Sequence, residues 1–595
     1  MKIKYLDGMR LYYAVLAGGQ AVIADKSYLD KINVFPVPDS DTGTNMATTM
    51  RAIAEKATPS RCLKTTVRSI ADAALVGARG NSGLIFAQFL YGLSQEIRTE
   101  VRLTTRHFAE SVRSAAHYSR KAMLSPVEGT MITLIHDWAE AVYEHRHRFS
   151  DYTELLSYSL HVAEQSLRDT PKKLAVLAKA GVVDAGAQGF FDFLKGVVDF
   201  IRKGDLKAVI DAAAAPPDVP SEDIHAERSS VGLRYCSEAL ITGEAIDLES
   251  LRALVQGAGE SAIVAGSPSK VRIHVHTDSP ADLFLKIEEV GTIADVKADD
   301  MLRQYQAAHE RKSPIALLTD SSCDLPRAVL DEHQIHLVPF SLFFGDSTYL
   351  DKITINPEEF YKLLRARKKM PTTAQPSQGN VRRIVEFLAG HYESIIAVTI
   401  SGKLTGFYGQ VVQAADSLGL DPSRITVIDS RHLSVSEALV VLRAAEAVRA
   451  GRSHEEISRE APSWVAKTKL WVDIKTLRYM VRGGRVSPLK GLVAGLLNIK
   501  PIISLDEEGK AVALGKSFSR RQNMNKILKM IRTEAAGRSV WNFGIVHAQN
   551  PIRALHYADF LSERLGKKPA FISEVSPVVG VHNGIGVVGL SVMFE

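Results

Sequence analysis

The chain has 595 residues, 46% of them hydrophobic and 24% charged, with a formal net charge of +6. That length predicts roughly three or four domains of about 100–200 residues each, with apolar residues enough for sizeable cores. The balance is only mildly basic and no Lys/Arg run carries interleaved aromatics, so nucleic acid is not an expected partner.

The N-terminal stretch MKIKYLDGMRLYYAVLAGG is interrupted by Asp7 and Arg10 and makes a poor signal peptide. No apolar run is long enough to span a bilayer. Cys62, Cys236 and Cys323 lie far apart, which predicts no disulfide framework and a reducing compartment. The expected location is the cytoplasm, without stable membrane insertion.

Residues 1–205 read as helical. Apolar residues recur at three and four in FAESVRSAAHYSRKAM and LLSYSLHVAEQSL. Glycine clusters punctuate these helices in DTGTN, GARGNSG, VEGTM and DAGAQG, as loops that can meet at one end of a bundle. Residues 206–230 have the prolines, small residues and charges of a linker. Residues 231–312 mix the strand-like runs ALITG, SAIVAG and VRIHVHT with the helical LESLRALVQGAG, which predicts a small α/β domain. Residues 313–595 alternate strand-like IALLTDSS, IIAVTIS, ITVIDS, FGIVHA and VVGLSVMF with helical segments. That is a larger α/β domain of two lobes.

Asp39 and Asp41 stand two apart in NVFPVPDSDTGTNM. On an extended or turning segment both side chains can point to one side. Mg²⁺ joins such carboxylates to substrate phosphates, and Thr42-Gly43-Thr44-Asn45 offers N–H groups at a helix start. Gly80-Asn81-Ser82-Gly83 offers a second small-residue loop. The same spacing also fits an Asp-capped helix after a proline turn. Further on, VRIHVHTD places His274 and His276 on one strand face. With Cys236 of RYCSEALI they offer ligands for Zn²⁺, or they are ordinary strand histidines.

LLTDSSCDLP sets Asp320, Ser321, Ser322 and Asp324 at a strand end. There is no G-x-S-x-G elbow and no histidine paired with these serines, so a nucleophile is not expected. Cys323 reads as a small buried residue. The hydroxyls and N–H groups of this turn suit the binding of a carboxylate or phosphate. MPTTAQPS adds Thr372 and Thr373, TISGKLTGFYG adds Ser401 and Thr405, and VVGVHNGIG adds His582. Each alone reads as a cap or a loop residue.

Taken in order, NVFPVPDSDTGTNM, GARGNSG, PVEGTM and AGVVDAGAQG closely resemble the nucleotide-binding domain of bacterial fatty acid kinase, which is similar to the L subunit of dihydroxyacetone kinase. The resemblance covers residues 1–205. It implies an all-α helical barrel that holds ATP and Mg²⁺ at its mouth. By that resemblance Asp39 and Asp41 are metal ligands, with Asn33 near the place of a third. Thr42, Gly43, Thr44, Asn45, Ser82 and Gly83 would hold phosphates. Thr130 and Met131 would line the nucleotide, and Asp184 with Gly186 would close the pocket. Ser40 departs from the family's usual glycine. The middle segment resembles the fatty acid kinase middle domain through YC(S/T)E and KV-x-(V/I)-HVHTD, which implies a zinc site from Cys236, His274 and His276.

Residues 314–595 resemble the DegV family of fatty-acid-binding proteins, through the three stretches above together with LRYMVRGGRVS and LLNIKPIISLDEEGK. This implies an acyl chain in an apolar tunnel. Thr373 would hydrogen-bond the carboxylate together with Ser401 or the Gly402 backbone, because the family's S-S-x-L-S-G reads Ser401-Gly402-Lys403-Leu404-Thr405-Gly406 here. His582 and Arg485 would lie near the head group.

The two halves that normally occur as separate proteins are expected in one chain, whose tether raises effective concentration to about the millimolar range. The expected activity is ATP-dependent phosphorylation of a fatty acid carboxylate to an acyl phosphate. The expected partners are the fatty acid, a second copy in a homodimer and an acyl-transfer enzyme. The alternatives are a small-molecule kinase of the dihydroxyacetone type and a non-catalytic lipid-binding or lipid-sensing protein.

Overall fold

Asp7 opens the first long helix, Gly8–Ala24, by accepting the Arg10 N–H at 2.8 Å. Local signals of this kind recur along the chain. Asp151 and Asp184 cap Tyr152–Arg168 and Ala185–Lys203. Asn356 and Ser453 form capping boxes with Glu359 and Glu456.

The computed structural model describes residues 2–35, 41–97, 102–204, 232–483 and 500–595. The expected linker 206–230, Asp39 and Arg485 lie outside the described residues. The chain divides into two compact units, Met1–Ser279 with Lys286–Leu302, and Pro280–Leu285 with Arg303–Glu595. Among the described residues, no helix is long and apolar enough to cross a membrane.

In the first unit the long helices pack in succession. Gly8–Ala24 lies on Thr42–Lys56, which is followed by Leu63–Gly77, Gly80–Glu96, Thr105–Ala122, Met131–Glu144 and Tyr152–Arg168. Ala185–Lys203 packs on Tyr152–Arg168 and returns to Gly8–Ala24. Phe86, Phe89, Trp138, Phe190 and Phe193 meet edge-on in the middle of this core. Each such ring contributes about 1.5–3 kcal/mol by leaving water.

The same unit carries a four-stranded antiparallel sheet, ordered Glu260–Ser267, Lys270–Thr277, Tyr235–Thr242, Thr292–Asp300. Ile263 and Ala265 join the helical core. The Gly266 N–H donates to Gln88 at 2.8 Å, and the Leu124 N–H to the Ala262 carbonyl at 3.2 Å.

In the second unit, Ile425–Asp429, Ser394–Thr399, Ile315–Asp320 and His336–Val338 form a parallel sheet in that order. A six-stranded sheet runs Ala511–Ser517, Lys500–Leu505, Thr468–Asp473, Val588–Phe594, Val540–His547, Phe571–Glu574. Helix Ser434–Arg449 touches strands of both sheets and is buried nearly all round. Its sequence, SVSEALVVLRAAEAVR, is correspondingly apolar on more than one face.

Candidate functional site

Of the glycine clusters, DTGTN, GARGNSG and DAGAQG run into helix first turns, and VEGTM is the turn before one. Thr42 to Asn45 open Thr42–Lys56, and Gly80 to Gly83 open Gly80–Glu96. Thr130 is the N-cap of Met131–Glu144, and Asp184 that of Ala185–Lys203. These starts meet at one place. Gly80 stands at φ +60°, and a Cβ there would sit 2.4 Å from Asn45 Nδ2. A Cβ on Gly186 would sit 2.8 Å from Ser82 Oγ and 3.3 Å from Met131 Cβ. Gly83 packs on the Thr49 hydroxyl. The N-termini of four helices thus gather partial positive charge at one end of the unit.

Asp184 ties two of them together, accepting from the Ala187 N–H at 2.8 Å and from the Met131 N–H. Burial outweighs these donors and raises its carboxyl to about 6. Asp41 occupies the N-cap position of Thr42–Lys56, where its side chain makes no capping hydrogen bond. Asn33 is buried just before the undescribed stretch. Thr44 directs both its N–H and its hydroxyl to Asp30, each at 2.8 Å, and Asp30 also pairs with Lys26 at 2.9 Å. Asp30 carries no motif signal and the sequence reading missed it. The carboxylate of Asp41 and the amide of Asn33 are hard oxygen donors, a set that suits Mg²⁺.

The middle sheet presents a polar face to the same unit. Register places His276, Cys236 and Asp299 in one row and His274, Glu238 and Lys297 in the next. Donor atoms of Cys236, His274 and His276 all lie within 4.8 Å of one another. Burial, then His274, lowers His276 to about 3, which keeps its imidazole neutral. His274 Nε2 is buried without a hydrogen-bond partner, while Nδ1 lies 3.4 Å from Glu238 Oε1. A thiol and two neutral imidazoles at this separation fit Zn²⁺.

Glu238 was not singled out from the sequence, yet its Oε1 accepts the Gly80 N–H at 2.7 Å. Its Oε2 lies 3.6 Å from Arg79 and 3.7 Å from Arg272. Burial works to raise Glu238, but Lys297, His274 and Arg79 outweigh it and bring it to about 2. Asp41 is among the charges acting on Cys236 and Lys297, so the expected Mg²⁺ and Zn²⁺ positions share one electrostatic neighbourhood.

In the second unit Thr373 Oγ1 and His582 Nε2 lie 3.3 Å apart, joining strand Thr372–Ala374 to helix Pro577–Asn583. Gly483 packs on the same imidazole, where a Cβ would approach Nδ1 to 2.4 Å. Ser401 is fully buried and donates its hydroxyl to the Gly509 carbonyl at 2.9 Å. The Gly402 N–H donates to Asp429 at 3.2 Å.

The turn after Ile315–Asp320 differs from its expected role in binding an outside carboxylate or phosphate. Its groups are buried and spent within the protein. Asp320 accepts from the Ser322 N–H and the Ile400 N–H at 3.0 and 2.9 Å, and Ser321 Oγ accepts the Phe340 N–H at 3.0 Å. Asp324 pairs with Lys352 at 3.1 Å. Burial raises Glu437 well above the usual carboxylate range and Asp351 to about 7.

Three family models match the chain in order. Residues 36–199 match the DAK2 domain, 232–308 the FakA-like middle domain of fatty acid kinase, and 314–595 the DegV family of uncharacterised proteins. The chain is therefore a multidomain protein that joins a helical DAK2-like region and a FakA-like middle region to an α/β DegV-like region.

Among individual proteins, an uncharacterised protein of Staphylococcus saprophyticus is 30% identical over 313 residues, covering 51% of this chain and 57% of that protein. An uncharacterised protein of Staphylococcus aureus is 31% identical over the same shares. The chain thus spans 57% of the length of these curated relatives. Among solved structures, DegV of Bacillus subtilis, a fatty acid binding protein, is 26% identical with a TM-score of 0.44, covering 48% of this chain and all of that one. A DegV family protein of Thermus thermophilus, described by its fatty acid binding, is 28% identical with a TM-score of 0.44, covering 47% of this chain and 99% of that one.

Proposed function

We propose that this chain is an ATP-dependent fatty acid kinase that converts a bound fatty acid to its acyl phosphate. The observation that carries the reading is the meeting of four helix N-termini around Asn45, Gly80, Ser82 and Gly186 in a region matching DAK2, on a chain that also carries a DegV match. Backbone N–H groups so gathered favour the phosphates of a nucleotide.

In this reading the packed helices form the barrel that holds ATP. Asp39 and Asp41, with Asn33, hold Mg²⁺, which supplies charge neutralisation on the β- and γ-phosphates when bound. Thr42, Gly43, Asn45, Ser82 and Gly83 hold phosphates, and Thr130, Met131, Asp184 and Gly186 border the nucleotide. Thr44 contributes by holding Asp30 beside that cradle. The Zn²⁺ site of Cys236, His274 and His276 stands beside the phosphate end.

The fatty acid carboxylate is held by Thr373 and His582, with Ser401, Gly402 and Arg485 as further candidates. One carboxylate oxygen attacks the γ-phosphorus in line, the bond from that phosphorus to the bridging β–γ oxygen breaks, and ADP leaves with the electron pair. A carboxylate is already ionised near neutrality, so no general base is required. Transfer occurs within one chain or across a homodimer, and an acyl-transfer enzyme would consume the product.

The test is to incubate the purified chain with fatty acid, Mg-ATP and hydroxylamine, and to read hydroxamate by mass spectrometry. ATP-dependent hydroxamate is the expected result. Bound lipid without hydroxamate would favour the lipid-sensing alternative, and absence of lipid would favour a small-molecule kinase.

A further inference from the structure

In the second unit, the elements that carry Thr373 and His582 are tied to one buried carboxylate. Thr373 lies in a three-stranded sheet ordered Ser347–Leu350, Ser341–Phe344, Thr372–Ala374. Lys352 stands just past the end of the first of these strands. His582 lies in helix Pro577–Asn583, whose N-cap is Ser576. Asp324 Oδ1 takes both attachments, Lys352 Nζ at 3.1 Å and the Ser576 N–H at 3.0 Å. Its Oδ2 accepts the Ser434 hydroxyl at 2.5 Å, and its carbonyl the Ser573 hydroxyl at 2.6 Å. Asp351, beside Lys352, accepts the Val578 N–H of the same helix at 3.3 Å. Lys352 and Ser434 stand at φ +63° and +55°. That left-handed backbone costs a non-glycine residue about 1–2 kcal/mol, and both residues direct their side chains to Asp324.

We infer that Asp324 is a positioning residue of the fatty acid site, holding Thr373 and His582 at the separation that one carboxylate bridges. The inference rests on the reading that these two side chains bind the carboxylate of a fatty acid. Asp324 is itself buried and acts through the other two.

The physical basis is the sharing of one oxygen. Thr373 Oγ1 and His582 Nε2 stand 3.3 Å apart on different elements. Hydrogen bonds from both to one carboxylate weaken steeply with misalignment, so the pair must be held to within about 0.5 Å. The helix carrying His582 has only 7 residues, and its place depends on its anchors. Asp324 and Asp351 hold its first turn. Gly580 seats its middle, where a Cβ would come 2.6 Å from Tyr361 Oη. Through Lys352 the same Asp324 oxygen holds the end of the sheet that carries Thr373. A buried ion pair adds little net stability. What this one sets is register, because neither segment can move without leaving the shared oxygen.

The experiment uses the delipidated full chain and compares its affinity for palmitate with that for hexadecanol, which has the same chain length and no carboxylate. The unsubstituted chain should prefer palmitate. Asp324→Asn keeps the shape and an acceptor oxygen but removes the charge that holds Lys352. It should lose about ten-fold in palmitate affinity and keep its hexadecanol affinity. Ser434→Gly takes the left-handed backbone without strain and removes only the hydroxyl on Oδ2. It should fold, and lose about three-fold in the same selective way. If Asp324→Asn does not fold, Ser434→Gly decides alone. A merely structural role would weaken both lipids together with the thermal midpoint. Equal loss of both lipids, or an unchanged preference for palmitate, overturns the inference and leaves the fatty acid reading standing. Equal binding of palmitate and hexadecanol by the unsubstituted chain, or binding of neither, overturns the two together.

Discussion

Ser322 Oγ lies 2.7 Å from Asp320 Oδ1 and 2.8 Å from Glu437 Oε2, although Ser322 and Glu437 are 115 residues apart. A hydroxyl has one proton and can donate to only one of these carboxyl groups. The second contact needs a proton on a carboxyl, and Glu437 is the group that burial favours as the neutral acid. Glu437→Gln keeps a donor and an acceptor in place of the neutral acid, so it should fold as stably as the unsubstituted chain near pH 7. Glu437→Leu should cost about 2–3 kcal/mol by removing the donor to Ser322 and the acceptor of the Thr319 hydroxyl. Urea midpoints of the two variants check this.

Asp351 gives the pH dependence its sign. Burial raises it from 3.8 to about 7. The folded state therefore binds a proton more tightly than the unfolded chain. Stability from this group is full below about pH 4 and is lost as pH rises toward 7, at about 1.4 kcal/mol per pH unit at most. Asp351→Asn should flatten that loss and should exceed the unsubstituted chain in thermal midpoint at pH 8 more than at pH 5.

Gly80→Ala should damage the phosphate end. The left-handed backbone there costs a side chain about 1–2 kcal/mol, and the new methyl would meet Asn45 Nδ2 at 2.4 Å. Mg-ADP affinity should fall together with stability. Affinity unchanged in a folded variant would remove Asn45 and Gly80 from the nucleotide site.

Asp184→Ala uncaps two helices at once, since Ala187 and Met131 both donate to it. The expected loss is about 1–2 kcal/mol. Asp184→Asn retains an acceptor oxygen and should lose less, which urea denaturation would read directly.

On the proposed function, Asp41→Ala should abolish hydroxamate formation and leave bound lipid in place. Thr373→Val should do the converse, weakening lipid by about 1.5–3 kcal/mol, the usual worth of a hydrogen bond to a charged group, with Mg-ADP affinity intact. Native mass spectrometry separates these outcomes.

Much of this architecture was legible in local pattern. VRIHVHT and IIAVTIS read as strands and lie in Lys270–Thr277 and Ser394–Thr399, because β-branched runs bounded by turns have few other uses. Thr292–Asp300 was not legible. Its residues TIADVKADD are largely polar, since one face carries Asp295, Lys297 and Asp299 beside Glu238 rather than a core. DTGTN reads as a helix start and VEGTM as a turn, as both are, whereas GARGNSG and DAGAQG read as loops and open helices, because small residues at a helix start look like turn residues when the neighbouring helix ends are not in view. Asp30 and Glu437 gave no signal, and Glu238 stood in YC(S/T)E without a role of its own. Each is a single acid in an ordinary strand or helix sequence, and its role comes from a partner 14, 115 or 158 residues away. The pairing of Thr373 with His582 is the opposite case, two weak stretches that gain meaning together.

Helix Ser434–Arg449, buried between two sheets, has a consequence for how the protein is made. The parallel sheet is complete in the chain before this helix, whereas the six-stranded sheet extends to Phe594. At about 5–20 residues per second of synthesis, one apolar side of the newborn helix waits about 7–30 s for its cover. During that interval it is a surface for chaperones, and for other nascent chains.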